Sequence, residues 1–352
     1  MRTGRKGHDG FSLAELVVSL ALAVLVAAVA WPLLDAALST SRRVPAAIDV
    51  HQNLRGAVAF LSEQLQAAGR GALSAPPGGR LSRHVPVLLP RRWGVPMPDA
   101  ADSASGDRVA VVSVPEGAAA APLSSPVWPG DTVVTFDGTT WCGPSATCGL
   151  AAGDSAMLVD ATGRAEVASV ASSASGLAVL ATPLAHGFHP DVRAAILPVE
   201  VRVIYWREAQ REVRVATGGG ADVPWLDHVV AFEVRWFGVA EPPAGPSVPE
   251  GVDGCLRHAD GTARLAPLGG ADAVVPLPLP SLADGPWCGE GLAAFDADLL
   301  RVRRLEVALR LETPDPLLRS AGTRFLRAGL ATGPHVVPDV RLRFEVSPRA
   351  LQ

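Results

Sequence analysis

The chain has 352 residues, enough to bury a sizeable core, and a net charge of −4 gives it no overall basic character. Its 35 glycines and 31 prolines favour strands, turns and long loops over a bundle of helices. No nucleic-acid partner is therefore predicted.

The first 34 residues combine a short polar leader with a long apolar run. Residues 1–10, MRTGRKGHDG, end in Gly10, and residues 11–34 contain a single charge, Glu15. The run is too long for the apolar region of a secretory signal peptide, and no small-residue cleavage site follows it. As a helix it would extend about 36 Å, which is enough to span a bilayer. The sequence predicts a transmembrane helix half over 11–34.

The junction between leader and apolar run resembles that of the type IV pilin and pseudopilin superfamily. Gly10 precedes Phe11, and Glu15 lies four residues after Phe11. The resemblance implies that a prepilin peptidase cuts after Gly10 and methylates the new amino terminus at Phe11. It also implies that Glu15 pairs with the amino terminus of a neighbouring subunit, an attraction that apolar surroundings strengthen. The alternative is an acid that reaches back to the membrane interface.

Positive charge before the apolar run predicts the orientation of the helix. Arg2, Arg5 and Lys6 lie on the short N-terminal side, which is therefore expected to be cytoplasmic. Arg42 and Arg43 on the other side weaken this asymmetry without cancelling it. The predicted location is a single-pass inner-membrane protein with a periplasmic C-terminal domain. The four cysteines fit that oxidising compartment.

Beyond the membrane segment, residues 35–70 are predicted to form the amphipathic half of the helix. Pro32 is expected to kink or locally melt the helix, and pilins carry a proline at a similar depth. The helix is expected to resume after Pro45 with an apolar stripe that includes Leu54 and Leu61. Gly69 and Gly71 would end it. The stripe is expected to pack against the soluble domain.

The rest of the chain is predicted to be a loop region over 71–106 and a β-rich globular domain over 107–352. An insertion is expected at about 239–297, where proline and glycine interrupt the strand pattern. Candidate strands show alternating or continuous apolar residues and cover 108–114, 131–137, 155–160, 164–170, 176–182, 200–206, 211–217, 228–238, 300–312 and 340–348.

Several segments also resemble PilW-like minor pilins. These are FLSEQLQAAGRG at 60–71, the strands containing VIYW and LDHVVAFEV, and the later VRRLEVALRL. The resemblance implies an α+β, pilin-like fold, in which a long N-terminal helix packs on an antiparallel β-rich domain with disulfide-held loops.

The four cysteines are candidates for two disulfides. Cys142 and Cys148 flank a Gly-Pro turn and are interpreted as a small stapled loop, because their spacing is not C-x-x-C and no histidine lies nearby. Cys255 and Cys288 form the obvious second pair, and closing that loop would contribute about 3–4 kcal/mol. Four cysteines allow three connectivities, and the sequence does not select one.

Other polar residues give weak signals for chemistry. Ser155 lies in GDSAM, but no G-x-S-x-G motif is present, and a turn before a strand is the favoured interpretation. His186 and His189 form an H-x-x-H pair in a loop, and Asp296 and Asp298 lack the pattern of a calcium loop. No catalytic, cofactor-binding or metal site is predicted, and the chain is not expected to be an enzyme.

The arginines of LRVRRLEVALRLE alternate with apolar residues. Arg301, Arg303 and Arg304 are therefore interpreted as the solvated face of a sheet edge, with a binding patch as the alternative.

The function implied by the resemblance is structural. A minor pilin would take part in priming, assembly or the tip of a type IV pilus at the cell surface. Its expected partners are the prepilin peptidase, other minor pilins, the major pilin, the inner membrane and the inner-membrane assembly platform. The alternatives are a pseudopilin of a type II secretion or DNA-uptake system and, more remotely, a membrane-anchored periplasmic enzyme or binding protein.

Overall fold

The structure is a computed structural model, and it describes residues 12–73, 79–142, 146–245, 248–269, 273–331, 333 and 335–351. It is an α+β protein with one long apolar N-terminal helix, antiparallel β-sheets and two disulfides. Contacts divide the chain into two units, of which the first takes in residues 1–52 with 313–339 and the second takes in 53–312 with 340–352.

Helix α1 spans Leu13–Gln66 without interruption and passes through Pro32 and Pro45. The expectation that the helix is interrupted and resumes after Pro45 is therefore wrong, whereas the kink expected at Pro32 stays a prediction. Each proline removes only one backbone donor, and the alanine- and leucine-rich flanks favour helix strongly enough to keep the remaining hydrogen bonds. A second, single-turn helix, α2, spans Gly138–Trp141.

Eighteen strands are assigned within the described residues. They are β1 (Ala72–Leu73), β2 (Gly79–Arg80), β3 (Leu88–Leu89), β4 (Arg108–Ser113), β5 (Ala121–Pro122), β6 (Val133–Thr135), β7 (Ser155–Val159), β8 (Ala165–Ala174), β9 (Leu177–Leu180), β10 (Ala195–Arg207), β11 (Glu212–Thr217), β12 (Asp222–Leu226), β13 (Val229–Val239), β14 (Val274–Leu277), β15 (Trp287–Cys288), β16 (Phe295–Asp296), β17 (Val302–Leu311) and β18 (Val340–Val346).

The larger sheet is organised around the 13-residue strand β10. Its first half pairs with β5 and β7, and its second half pairs with β4 and β11. The main path runs β12-β11-β10-β7-β8-β9-β6, and β3 joins through β4. β7 pairs with β8 and β10 with β11 as antiparallel hairpins. β10 thus joins two groups of strands into one ten-stranded sheet.

A four-stranded antiparallel sheet has the order β14-β13-β17-β18. In β13 the buried residues Phe232, Val234 and Trp236 alternate with less buried ones, as the sequence predicts. The predicted strand 300–312 is β17, but it is an interior strand flanked by β13 and β18. The edge position predicted for it is therefore wrong, and the edge strands of this sheet are β14 and β18.

Two strands that sequence reasoning missed, β12 and β14, also lie at sheet edges. Each contains a proline, Pro224 in β12 and Pro276 in β14. Proline cannot donate to a ladder, so it is tolerated at an edge and weakens the sequence signal for a strand.

The C-terminal end of α1 packs within the second unit. Leu61 and Leu65 are buried, and Phe60 stacks on Trp225 with ring centroids 4.2 Å apart. The backbone then runs beside β4, where the N–H of Gly69 donates to the carbonyl of Val112 at 2.8 Å. The expectation that the later stripe packs on the β-rich domain is confirmed for these residues.

Part of the predicted loop region over 71–106 is buried. Val85, Leu89 and Trp93 are almost fully covered, and Arg91 is 2% exposed. The Arg91 guanidinium donates to the carbonyls of Asp99 and Ala294. Burial lowers the pKa of Arg91 to about 10. The segment thus contains few strands, although several of its side chains are buried.

Candidate assembly helix and disulfide-tied loops

The first half of α1 exposes its apolar side chains. Leu16, Leu22 and Trp31 are 57%, 58% and 73% exposed, although such residues are normally buried. Among the described residues, α1 is the one helix long and apolar enough to cross a membrane, and that stretch lies near the N-terminus. A continuous apolar surface of this kind favours contact with lipid or with other apolar helices.

Ser12 and Glu15 begin the helix with a reciprocal cap. The N–H of Ser12 donates to Glu15 Oε2 at 3.0 Å, and the N–H of Glu15 donates to Ser12 Oγ at 3.2 Å. This is a capping box, which satisfies two backbone donors that the first turn leaves open. The S-x-x-E pattern before an apolar run is its sequence signal, and sequence reasoning overlooked it.

The predicted processing residues Gly10 and Phe11 lie outside the described residues. Glu15 is exposed in the first turn of α1, and Pro32 lies inside the same helix. The structure therefore places the acid at the exposed start of the apolar surface.

Both disulfides join the cysteines that were the obvious pairs. Cys142–Cys148 closes a loop next to α2, whose first turn is capped by Asp137 accepting from the N–H of Thr140 at 3.1 Å. Cys255–Cys288 ties two loops that are 33 residues apart in sequence. All four cysteines are used, so neither pair is available as a metal-binding thiolate.

Gly163, at the tip of the β7–β8 hairpin, fits closely against Cys255. Its φ is +89°, and a Cβ at this position would collide with the Cys255 Cβ. Only glycine satisfies both the left-handed backbone and the close approach. The hairpin tip is thereby fixed against the second disulfide.

His186 and His189 contact neighbouring side chains, and Ser155 is the buried first residue of β7. His186 Nδ1 lies 3.0 Å from Glu166 Oε2, and the same carboxylate accepts the N–H groups of Ala185 and His186. His189 packs edge-on against Trp128 with centroids 4.7 Å apart. In the part of the chain that the structure describes, no cluster of three or more histidine, cysteine or acidic side chains could hold a metal ion.

Asp296 and Asp298 have internal partners. Asp296 accepts from the N–H of Gly285 at 2.6 Å and from the N–H of Asp298 at 2.8 Å, so it caps a short 3-10 turn. Burial raises the pKa of both carboxyls. Asp298 in turn accepts from Arg301.

Arg301 corrects the interpretation of the arginine run as a solvated face. It is 1% exposed and donates to Asp298 at 2.5 Å, to the carbonyl of Ala240 at 2.7 Å and to the carbonyl of Ala266 at 2.5 Å. The guanidinium is buried because three acceptors from separate segments surround it. Arg303 and Arg304 are half-buried, and Arg304 lies over the ring of Phe237, 4.7 Å from its centroid.

Comparison with known proteins adds no relative: no family model, no curated protein and no solved structure matches the chain.

Proposed function

We propose that the protein is a pilin-like subunit of a type IV pilus, namely a PilW-like minor pilin. The observation that carries the proposal is the exposed apolar helix that begins with Glu15 and follows the Gly10–Phe11 junction. In this proposal the helix resides in the inner membrane before assembly and among neighbouring helices afterwards. The second unit, residues 53–312 and 340–352, contains both disulfides and is called here the β-rich unit. In this proposal it lies in the periplasm and later on the filament surface.

The proposed mechanism depends on desolvation at the start of α1. A carboxylate surrounded by lipid or apolar side chains is costly unless it has a cationic partner. The amino terminus created by cleavage before Phe11 on a neighbouring subunit would provide that partner for Glu15. The capping box is compatible with this role, because the contact with Ser12 holds the Glu15 side chain at the end of the helix.

Intact-mass measurement and N-terminal sequencing test the proposal on the protein isolated from membranes, with and without a prepilin peptidase. The expected product is a chain that starts at N-methylated Phe11 and is absent without the peptidase. Gly10→Val should abolish cleavage, whereas Gly7→Val in the same leader should leave it intact. An uncut Met1 in both backgrounds would overturn the proposal.

The same N-terminus would serve a pseudopilin, so the machine needs a second measurement. Cross-linking of the processed protein in its native membrane should recover minor and major pilins together with the inner-membrane assembly platform. Recovery of secretion or DNA-uptake pseudopilins instead would assign it to those systems.

A further inference from the structure

The loop that leads from β17 to β18 contains residues 313–339 and is named here the leucine loop. It is closed by its own hydrogen bonds, one of which runs from the N–H of Ala331 to the carbonyl of Arg319 at 2.8 Å. Leu318 and Phe325 are buried. The leucine loop therefore has a defined conformation and buries part of its apolar surface.

Three other leucines of the leucine loop remain exposed. Leu317, Leu326 and Leu330 are 56%, 54% and 69% exposed. Outside α1, the described residues include four exposed leucines, and the fourth is Leu292. The N–H of Leu330 donates to the carbonyl of Pro316 at 2.8 Å, which brings the chain at Leu330 next to Leu317. Exposed apolar surface that is concentrated in this way marks a contact with another apolar phase.

The backbone at the exposed leucines needs no water to satisfy its donors. The N–H of Leu317 donates to Asp315 Oδ1 at 2.8 Å, and the N–H of Leu326 donates to Asp339 Oδ2 at 2.7 Å. The N–H of Leu330 is paired within the loop as well. A backbone N–H that enters apolar surroundings without a partner costs about as much as a lost hydrogen bond. The three leucines can enter such surroundings without that cost.

The charges of the leucine loop indicate which apolar phase this is. Asp315 and Asp339 are half-buried and accept backbone N–H groups of the loop, whereas Arg324 and Arg327 are exposed on either side of Leu326 in sequence. Arginines with long apolar stems beside exposed leucines are typical of segments at the surface of an anionic membrane. There the leucines enter the boundary between headgroups and acyl chains, and the guanidinium groups remain among the phosphates.

The leucine loop belongs to the first unit together with residues 1–52, which contain the apolar half of α1. A membrane that accommodates this half of the helix accounts for the exposed leucines of the same unit without a second partner. We propose that, in the unassembled protein, the leucine loop docks on the surface of an anionic bilayer through its three exposed leucines and through Arg324 and Arg327. This inference rests on the membrane location proposed for α1, but not on cleavage after Gly10 or on filament assembly.

Fluorescence quenching by spin-labelled lipids tests the proposal on the full-length protein in vesicles. All four cysteines of the chain are in disulfides, so Leu330→Cys offers a single free thiol for an environment-sensitive nitrobenzoxadiazole label. Leu292→Cys is the matched control, since Leu292 is 58% exposed and lies in the second unit. Leu20→Cys reports whether α1 lies in the bilayer, and circular dichroism checks that each variant is folded.

The expected result is contact with lipid at position 330 and not at position 292. In vesicles that contain phosphatidylglycerol, lipid labelled in the upper acyl chain should remove more than about half of the fluorescence at position 330, because interfacial side chains reach about 5–10 Å into the boundary between headgroups and acyl chains. Substituting both Arg324→Gln and Arg327→Gln should lower this quenching at least about twofold, since each arginine is attracted to the anionic surface. Arg235→Gln, at an exposed arginine of the second unit, should leave it unchanged.

Equal quenching at positions 330 and 292 would overturn the proposal, as would quenching at position 330 that does not depend on the two arginines. The label at position 20 separates this failure from a failure of the proposed function. If lipid labelled near the chain end quenches position 20 while position 330 stays unquenched, the leucine loop faces water although α1 lies in the membrane. If neither position is quenched, the membrane location of α1 fails, and the docking of the leucine loop fails with it.

Discussion

The apolar half of α1 and the β-rich unit distribute their side chains in opposite ways. The helix leaves large apolar residues such as Leu22 and Trp31 exposed, at 58% and 73%. The β-rich unit instead buries charged residues, among them Arg301 at 1% and Glu312 at 1%. The apolar side chains of α1 therefore need partners outside the chain, whereas the buried charges need partners inside the β-rich unit.

Two buried charges of the β-rich unit, Arg301 and Glu312, have their partners within that unit. Arg301 has three acceptors, and Glu312 pairs with Arg211 at 2.5 Å. Exposed apolar residues of α1 have no equivalent, because only lipid or another apolar surface removes them from water. This difference teaches that the β-rich unit can hold its own structure, whereas the helix needs surroundings that the single chain does not supply.

Removing Arg301 gives the largest expected effect and tests the internal pairing. Arg301→Met leaves the Asp298 carboxylate and the carbonyls of Ala240 and Ala266 without their donor, so we expect a loss of about 3–5 kcal/mol in the free energy of unfolding. Urea unfolding followed by tryptophan fluorescence measures it. Arg235→Met is the control, because Arg235 pairs with Glu233 at 2.8 Å on the exposed surface and should cost below about 1 kcal/mol. Equal losses of unfolding free energy in Arg301→Met and Arg235→Met would contradict the expected difference between a buried and an exposed arginine.

A second pair of substitutions contrasts the two ends of α1. Leu61 is fully buried, so Leu61→Ala is expected to lower the free energy of unfolding by about 2–5 kcal/mol. Leu20 is 63% exposed, and Leu20→Ala should leave that free energy almost unchanged. The same Leu20→Ala substitution should weaken membrane retention instead, measured as extraction from vesicles. A marked loss of folding stability in Leu20→Ala would show that the exposed half is packed.

The start of α1 provides a third, smaller test. Ser12→Ala removes the side-chain half of the capping box and should destabilise the first turn by about 1 kcal/mol. Hydrogen exchange in detergent micelles would show faster exchange at the amide of Glu15. Ser19→Ala is the control, since Ser19 donates to the carbonyl of Leu16 inside the helix and caps nothing. If Ser12→Ala left the exchange rate at the amide of Glu15 unchanged, the capping box would not stabilise the first turn.

Periodic patterns were predictable from the sequence because they report burial directly. The alternation in β13 and the stripe containing Leu54 and Leu61 both correspond to buried faces. The cysteine pairs were also visible as candidates, although their connectivity was not. The α+β class, which the resemblance to minor pilins implied, is present in the structure.

Long-range partners were not predictable from local pattern. Arg301 looked like part of a solvated strand face, but it precedes β17, and its acceptors Ala240 and Ala266 lie 61 and 35 residues away. The edge strands β12 and β14 were hidden by their prolines. The turn that follows β7 is local in sequence, whereas the close fit of its Gly163 against Cys255 joins segments far apart in the chain.

Two D-x-T turns, at 160–162 and 260–262, give the last test. In each, Oδ1 of the aspartate accepts from the N–H and the hydroxyl of the threonine two residues later, but Asp160 is fully buried whereas Asp260 is exposed. Burial raises the pKa of Asp160, whereas hydrogen bonds from Thr262 lower the pKa of Asp260. The carboxyl of Asp160 loses its proton at a lower pH in the unfolded chain than in the folded protein. The free energy of unfolding therefore falls as pH rises from the unfolded pKa to the folded pKa of Asp160, and below the unfolded pKa the group carries no penalty. Asp260 contributes stability above its unfolded pKa, and this stability is lost as pH falls through its folded pKa.

Urea unfolding over about pH 3 to pH 7 should therefore separate the Asp160→Asn and Asp260→Asn variants. Relative to the wild type, Asp160→Asn should gain stability as pH rises, because it removes an ionising group from a buried site. Asp260→Asn should lose stability over the same direction of pH. If both variants changed with the same sign, the burial of Asp160 would not govern its titration.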